Sequence, residues 1–142
     1  MPYSDAVADK IVDKVLNGTD FTPPTTYYIA FTTTAGNNNT PGTEPTIGTN
    51  GYARIAVTRN TTNFPLAGGD KIITNALDIT SPVSTGAWAS SAVFVAVFFL
   101  DAATAGTVWL SASIPGPNQQ AITGANQQLV FPAGSLTFTQ AN

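Results

Sequence analysis

Two hydrophobic periods divide the chain. Residues 4-SDAVADKIVDKVLNG-18 place Val7, Ala8, Ile11, Val12, Val15 and Leu16 on one helical face, while Asp5, Asp9 and Asp13 recur every four residues on another. Ser4 offers a side-chain cap, Asp5 lies where the helix dipole favours an anion, and Gly18 stands where a left-handed terminal residue belongs. The pattern predicts one helix over residues 4–17, with the acidic stripe as its solvated face.

From Thr19 onward the period shortens to two. Short runs of Val, Ile, Thr, Tyr and Phe, separated by Gly, Pro and Asn clusters, predict strands over 26–33, 52–59, 76–80, 92–100, 107–114, 121–123, 127–131 and 135–140. Seven or eight strands without crossover helices imply a mainly β fold: a jelly-roll-like antiparallel β-sandwich, one domain over 1–142, carrying the single short helix. Loops fall at 35–51, 60–70 and 115–120, the first long enough to suggest function or disorder.

The strongest hydrophobic signal is Val93–Leu100, eight apolar residues in succession. A bilayer span needs about 20, so this run is expected to be a central strand buried on both faces. Asp101 and Gly106 frame the turn 101-DAATAG-106, which predicts that 107-TVWLSAS-113 returns antiparallel as a hairpin. Such a pair aggregates when exposed; it must lie mid-sheet or beneath another subunit.

Composition then narrows the chemistry. The chain has no histidine and no cysteine, which removes the commonest general base, the commonest metal ligand, disulfides and the usual nucleophile–base pairs. The carboxylates Asp20, Glu44, Asp70, Asp78 and Asp101 are scattered singly and show no glycosidase-like pairing. With no calcium-loop motif either, no catalytic, cofactor-binding or metal-binding residues are assigned, and the protein is expected not to be an enzyme. A net charge of −3, with only Lys10, Lys14, Arg54, Arg59 and Lys71 basic, argues against nucleic acid. The N-terminal decapeptide lacks the apolar segment of a secretory signal, so neither export nor a membrane is expected. Charged residues make up 9% of the chain, against about 25% in ordinary soluble domains. Partners are therefore expected to cover much of the surface.

Among candidate contact residues, Tyr52 and Arg54 share a strand face by alternation and are residue types enriched at interface hot spots. The alternative is internal: Tyr52 packing at the sandwich edge, Arg54 pairing with Glu44 or Asp101. Trp88 and Trp109 read more simply as core or edge aromatics than as sugar platforms, although Trp88 joins Tyr52 and Arg54 as a candidate for a subunit or capsid interface.

Several segments together resemble small virion proteins of tailed bacteriophages, of the head decoration (cement) or tail-fibre-like kind. They are the helix 5-DAVADKIVDKVLNGT-19, then 22-TPPTTYYIAFTTT-34, 42-GTEP-45, 51-GYARIAVT-58, 75-NALDITSP-82, 86-GAW-88, 97-VFFLDAATAG-106, 107-TVWLSASI-114 and 130-VFPAGSLTFT-139. Segments 59–72 and 115–128 depart from the pattern. The resemblance implies a non-enzymatic structural protein of the virion, made in the bacterial host cytoplasm. It further implies a homotrimer that binds the major capsid protein as a capsid cement protein, with a tail component or host-glycan-binding tail tip as the alternative.

Overall fold

The computed structural model describes residues 3–65 and 72–139. Helix α1 (Asp5–Asn17) forms where the pattern placed it. The Ser4 hydroxyl accepts the Val7 N–H, and Gly18 closes the helix with φ 70°. A second clasp comes from far along the chain: Asn39 Oδ1 accepts the Asp5 N–H at 2.8 Å and Asn39 Nδ2 donates to the Asp5 carboxylate at 2.6 Å.

Eight strands are present among the described residues: β1 (Thr26–Thr32), β2 (Ile55–Thr58), β3 (Ile72–Thr74), β4 (Ile79–Thr80), β5 (Ala96–Leu100), β6 (Val108–Ser113), β7 (Val130–Phe131) and β8 (Thr137–Thr139). All ladders are antiparallel. One layer is a four-stranded sheet in the order β2-β1-β5-β6; two short ladders, β3-β8 and β4-β7, make up the rest. The arrangement is sandwich-like because Ile29, Phe31, Val97 and Phe99 on one face of the large sheet share a core with Ile79, Phe131, Leu136 and Phe138. Phe31 and Phe131 stack across the two layers at 5.3 Å, and Phe99 meets Phe138 edge-on at 5.0 Å.

Strand β5 answers the question posed by the apolar run. It lies between β1 and β6 with all five residues buried, Val97 and Phe99 facing the main core and Ala96, Phe98 and Leu100 facing a second cluster. The loop after β1 reaches this second face: a Cβ on Gly36 would lie 2.8 Å from the Phe98 ring. Opposite β5, the register slips so that Phe99 pairs with Leu110 and Leu100 with Val108. Trp109 is thus the extra residue of a bulge, and both Trp109 and Leu110 join the main core.

Several strand expectations shrink. Residues 52–54 precede β2 without joining it, and 121–123 form no strand, although the Ile122 carbonyl accepts the Trp88 N–H at 3.0 Å. Segments 76–80, 92–100 and 127–131 pair only at their C-terminal ends, and β3 has no counterpart in the pattern. The cause is common to these segments. Many of their backbone groups bond outside the regular ladders, as the Phe94 N–H does to Gln120 O and the Gly48 N–H to Tyr52 O, so apolar content overstates ladder length. Residues 66–71 and 140, including Asp70, Lys71 and the end of the predicted last strand, lie outside the described residues.

Candidate interface and the contacts that shape it

The long loop 35–51 is folded back on itself. Asn37 Oδ1 accepts the N–H groups of Asn39 and Thr40 at 2.9 Å each, and the Thr33 N–H donates to Thr43 O. This delivers Glu44 to Tyr52 and Arg54. The Arg54 guanidinium grips the carboxylate with both prongs, Nε to Oε1 at 2.9 Å and Nη2 to Oε2 at 2.8 Å. Its remaining nitrogen, Nη1, donates to the carbonyls of Ala102 and Ala105 at 2.9 and 2.6 Å. Tyr52 completes the cluster by donating its hydroxyl to Glu44 Oε1 at 2.8 Å while accepting the Phe31 N–H at 3.2 Å.

Arg54 and Glu44 side chains are 5% and 15% exposed, so this ion pair is largely withdrawn from solvent. Burial pushes the Tyr52 phenol far above its ordinary value, and the adjacent Glu44 charge adds to the rise. The hydrogen bonds to Glu44 raise the Arg54 guanidinium further above an already high value. The phenol and the guanidinium of the cluster both keep their protons through neutral pH.

The turn it holds has its own demands. Asp101 Oδ1 accepts the Thr107 N–H at 2.7 Å, and Oδ2 accepts the Trp109 indole N–H at 3.4 Å. Ala105 and Gly106 are left-handed, with φ 52° and 86°. A Cβ on Gly106 would stand 2.6 Å from Asp101 Oδ1, so only glycine closes the turn over that carboxylate.

Two further polar hubs repeat the design. Trp88 donates its indole N–H to Asn50 O at 2.8 Å, while Asn50 Nδ2 donates to Ala87 O at 2.7 Å. Asn75, 1% exposed, donates to Leu77 O and Pro132 O and accepts the Leu136 N–H at 2.9 Å; Asp78 Oδ1 accepts the Ala133 N–H. After Trp88, Ala89, Ser90 and Ser91 all adopt positive φ, a left-handed turn that L-residues rarely sustain. No sequence signal marked it.

The candidate contact residues therefore sit inside. Tyr52 and Trp88 are each 1% exposed and meet edge-on at 5.0 Å, and the Arg54 side chain is enclosed by the clamp. Alternation correctly put Tyr52 and Arg54 on one side, where both reach the same carboxylate oxygen; Glu44 is the ion-pair partner and Asp101 is not. In the single chain these three side chains offer little surface directly.

Exposed apolar side chains lie elsewhere, singly at Leu77, Val83 and Val93 and together on α1. Helix α1 is anchored by Val7, with Ile11 half-buried, while Val12, Val15 and Leu16 are 52%, 74% and 76% exposed. Beside the anchored end lies an open cavity of about 380 Å³ walled by Tyr27, Phe64, Phe99, Trp109, Leu110 and Phe138. Ile73 and Arg59 also line it, and Arg59 is an exposed residue whose Nε donates to Pro24 O at 2.8 Å. Among the described residues, no helix is long and apolar enough to cross a membrane and no three carboxylates gather as metal ligands.

Residues 2–139 match the family model described as Podophage GP4 fiber I protein gp80. No curated protein matches the chain.

Proposed function

Because the chain belongs to the podophage fiber I family, a family of structural virion proteins, we propose that it is a non-enzymatic subunit of the phage fibre apparatus that works as a homo-oligomer. The observation that carries this reading is where the family-like segments end up. 42-GTEP-45, 51-GYAR-54 and the 101-DAATAG-106 turn converge on one guanidinium, and 75-NALD-78 and 130-VFPAGSL-136 converge on Asn75. These segments fix loop positions rather than assemble reactive groups. Fixed loops suit a part whose task is to present the same surface in every copy, since preorganised surfaces lose less entropy on contact.

The capsid-cement reading shares this scaffold logic and differs in location and partner: the major capsid protein on the head, other tail components or further copies of this chain on the tail. The fibre description of the family favours the tail. Labelling intact virions with an antibody fragment against this chain, followed by electron microscopy, separates the two. Label confined to fibres or tail supports the proposal. Label distributed evenly over the head lattice would overturn it in favour of a cement protein.

A further inference from the structure

We infer that the exposed stripe of α1 inserts into the aromatic cavity of a second copy of the same chain. This contact gives the homo-oligomeric reading above a specific interface and rests on that reading. Val12, Val15 and Leu16 follow one another at helical i, i+3, i+4 spacing, so they form one continuous ridge. Their own body does not cover them. The inward direction of α1 is set by Val7 and Ile11, and at 3.6 residues per turn Val12 and Leu16 lie roughly 100° and 140° round from Ile11. They also sit beyond the anchored turn, with the last two turns of the helix exposed from Val12 to Asn17.

The cavity has the complementary character. Its walls are aromatic and aliphatic, and it opens beside the same helix that carries the ridge. Ridge and socket adjoin on one chain, which lets a rotation axis satisfy the contact in every copy and close the assembly. Charge agrees with this pairing: Asp9 and Asp13 edge the ridge on one flank, and Arg59 lines the socket. Three side chains alone fall short of the about 800 Å² per partner that a typical stable interface buries. The mouth residues Phe21 and Ile73 therefore belong to the contact, and Ile73 is 37% exposed in the single chain.

The full chain tests this directly. It contains no cysteine, so Leu16→Cys and Ile73→Cys proteins, purified separately, mixed and oxidised, report only contacts between copies. The expected product is the mixed Leu16→Cys/Ile73→Cys disulfide in preference to either homodimer. In light scattering after size exclusion, the wild type runs as a closed oligomer and Leu16→Glu weakens association by about tenfold or more. Val15→Asp serves as the second variant if Leu16→Glu folds poorly, and circular dichroism verifies both. A wild type that stays monomeric at high micromolar concentration, an oligomer insensitive to both variants, or dominance of the Leu16→Cys homodimer would overturn the contact. Virion labelling is read independently: fibre-located label with a failed cross-link removes this interface and leaves the fibre assignment standing.

Discussion

The Arg54 cluster and the α1 ridge are opposite solutions to placing side chains. Around Arg54 every group that needs a partner has one inside the chain: two carboxylate oxygens, two turn carbonyls and a phenol close the set. Along α1, three aliphatic side chains have none, and an aromatic socket stands open beside them. The specific residues look inward and the generic ones look outward. A charged fork satisfied at four donors tolerates little change, whereas a ridge of Val and Leu requires only bulk and apolarity. The resembling segments 42–45, 51–54 and 101–106 thus have a folding reason for their residues, whereas the proposed contact asks only apolar bulk of the α1 segment.

The largest effect that would break this contrast is at Arg54. Removing the guanidinium by Arg54→Ala strands the Glu44 carboxylate in a half-dry site and frees the 101–106 turn, with an expected loss of about 3–5 kcal/mol in chemical denaturation. The double variant Glu44→Gln, Arg54→Met leaves no uncompensated charge and should lose less. A single-variant loss below about 1 kcal/mol would mean that the clamp does not hold the turn.

Next comes Asn75. Asn75→Ala removes the acceptor of the Leu136 N–H and the donor to the Leu77 and Pro132 carbonyls, all close to the core. About 2–4 kcal/mol is expected, since each orphaned buried group costs about 1–3 kcal/mol. Hydrogen exchange should localise the damage to the Leu136 amide, which loses the Asn75 side-chain acceptor, and affect less the Gly134 amide, which bonds to the retained backbone carbonyl. Uniform loss of protection would point instead to global unfolding.

Tyr52 supplies a smaller effect with a pH signature. Burial, then the Glu44 charge, raises the folded phenol above the unfolded value, and burial also raises Tyr27. Below pH of about 10 both states hold the proton, and the stabilisation is fully present. Above it the unfolded chain ionises first, so stability falls as pH rises until the folded phenols ionise too. Thermal melts should be flat in this respect through neutral pH and drop beyond about 10. Tyr52→Phe, which strips the Phe31 N–H of its acceptor, should cost about 1–2 kcal/mol at neutral pH and make the alkaline decline shallower.

Helix α1 was readable to its caps because Ser4, Asp5 and Gly18 act locally. The β5–β6 hairpin was readable because eight apolar residues and an Asp–Gly turn leave one arrangement that buries both faces. Position 121–123 was misread for the opposite reason: Ile122 is buried, but its carbonyl serves Trp88 instead of a ladder. The Arg54 partner stayed open between Glu44 and Asp101, which are 10 and 47 positions away, because no local rule measures the fold of loop 35–51. Neither could periodicity show that half of the apolar face of α1 projects past its support. The helical pattern states which residues share a face, and only the packing states where that face ends.

The smallest stability effect is expected where α1 leaves its support. Leu16 is 76% exposed and touches no core cluster, so Leu16→Glu should leave the unfolding free energy of the isolated chain within about 0.5 kcal/mol of wild type. At Val7, 5% exposed on the anchored side of the same helix, Val7→Ala should cost about 1–3 kcal/mol by leaving a void against the core. Measured at concentrations where the chain is monomeric, the two variants divide the apolar residues of α1 into a folding set and an assembly set. Equal losses at both positions would mean that the helix packs as a unit on its own body, and the ridge would then have no surface to offer a second copy.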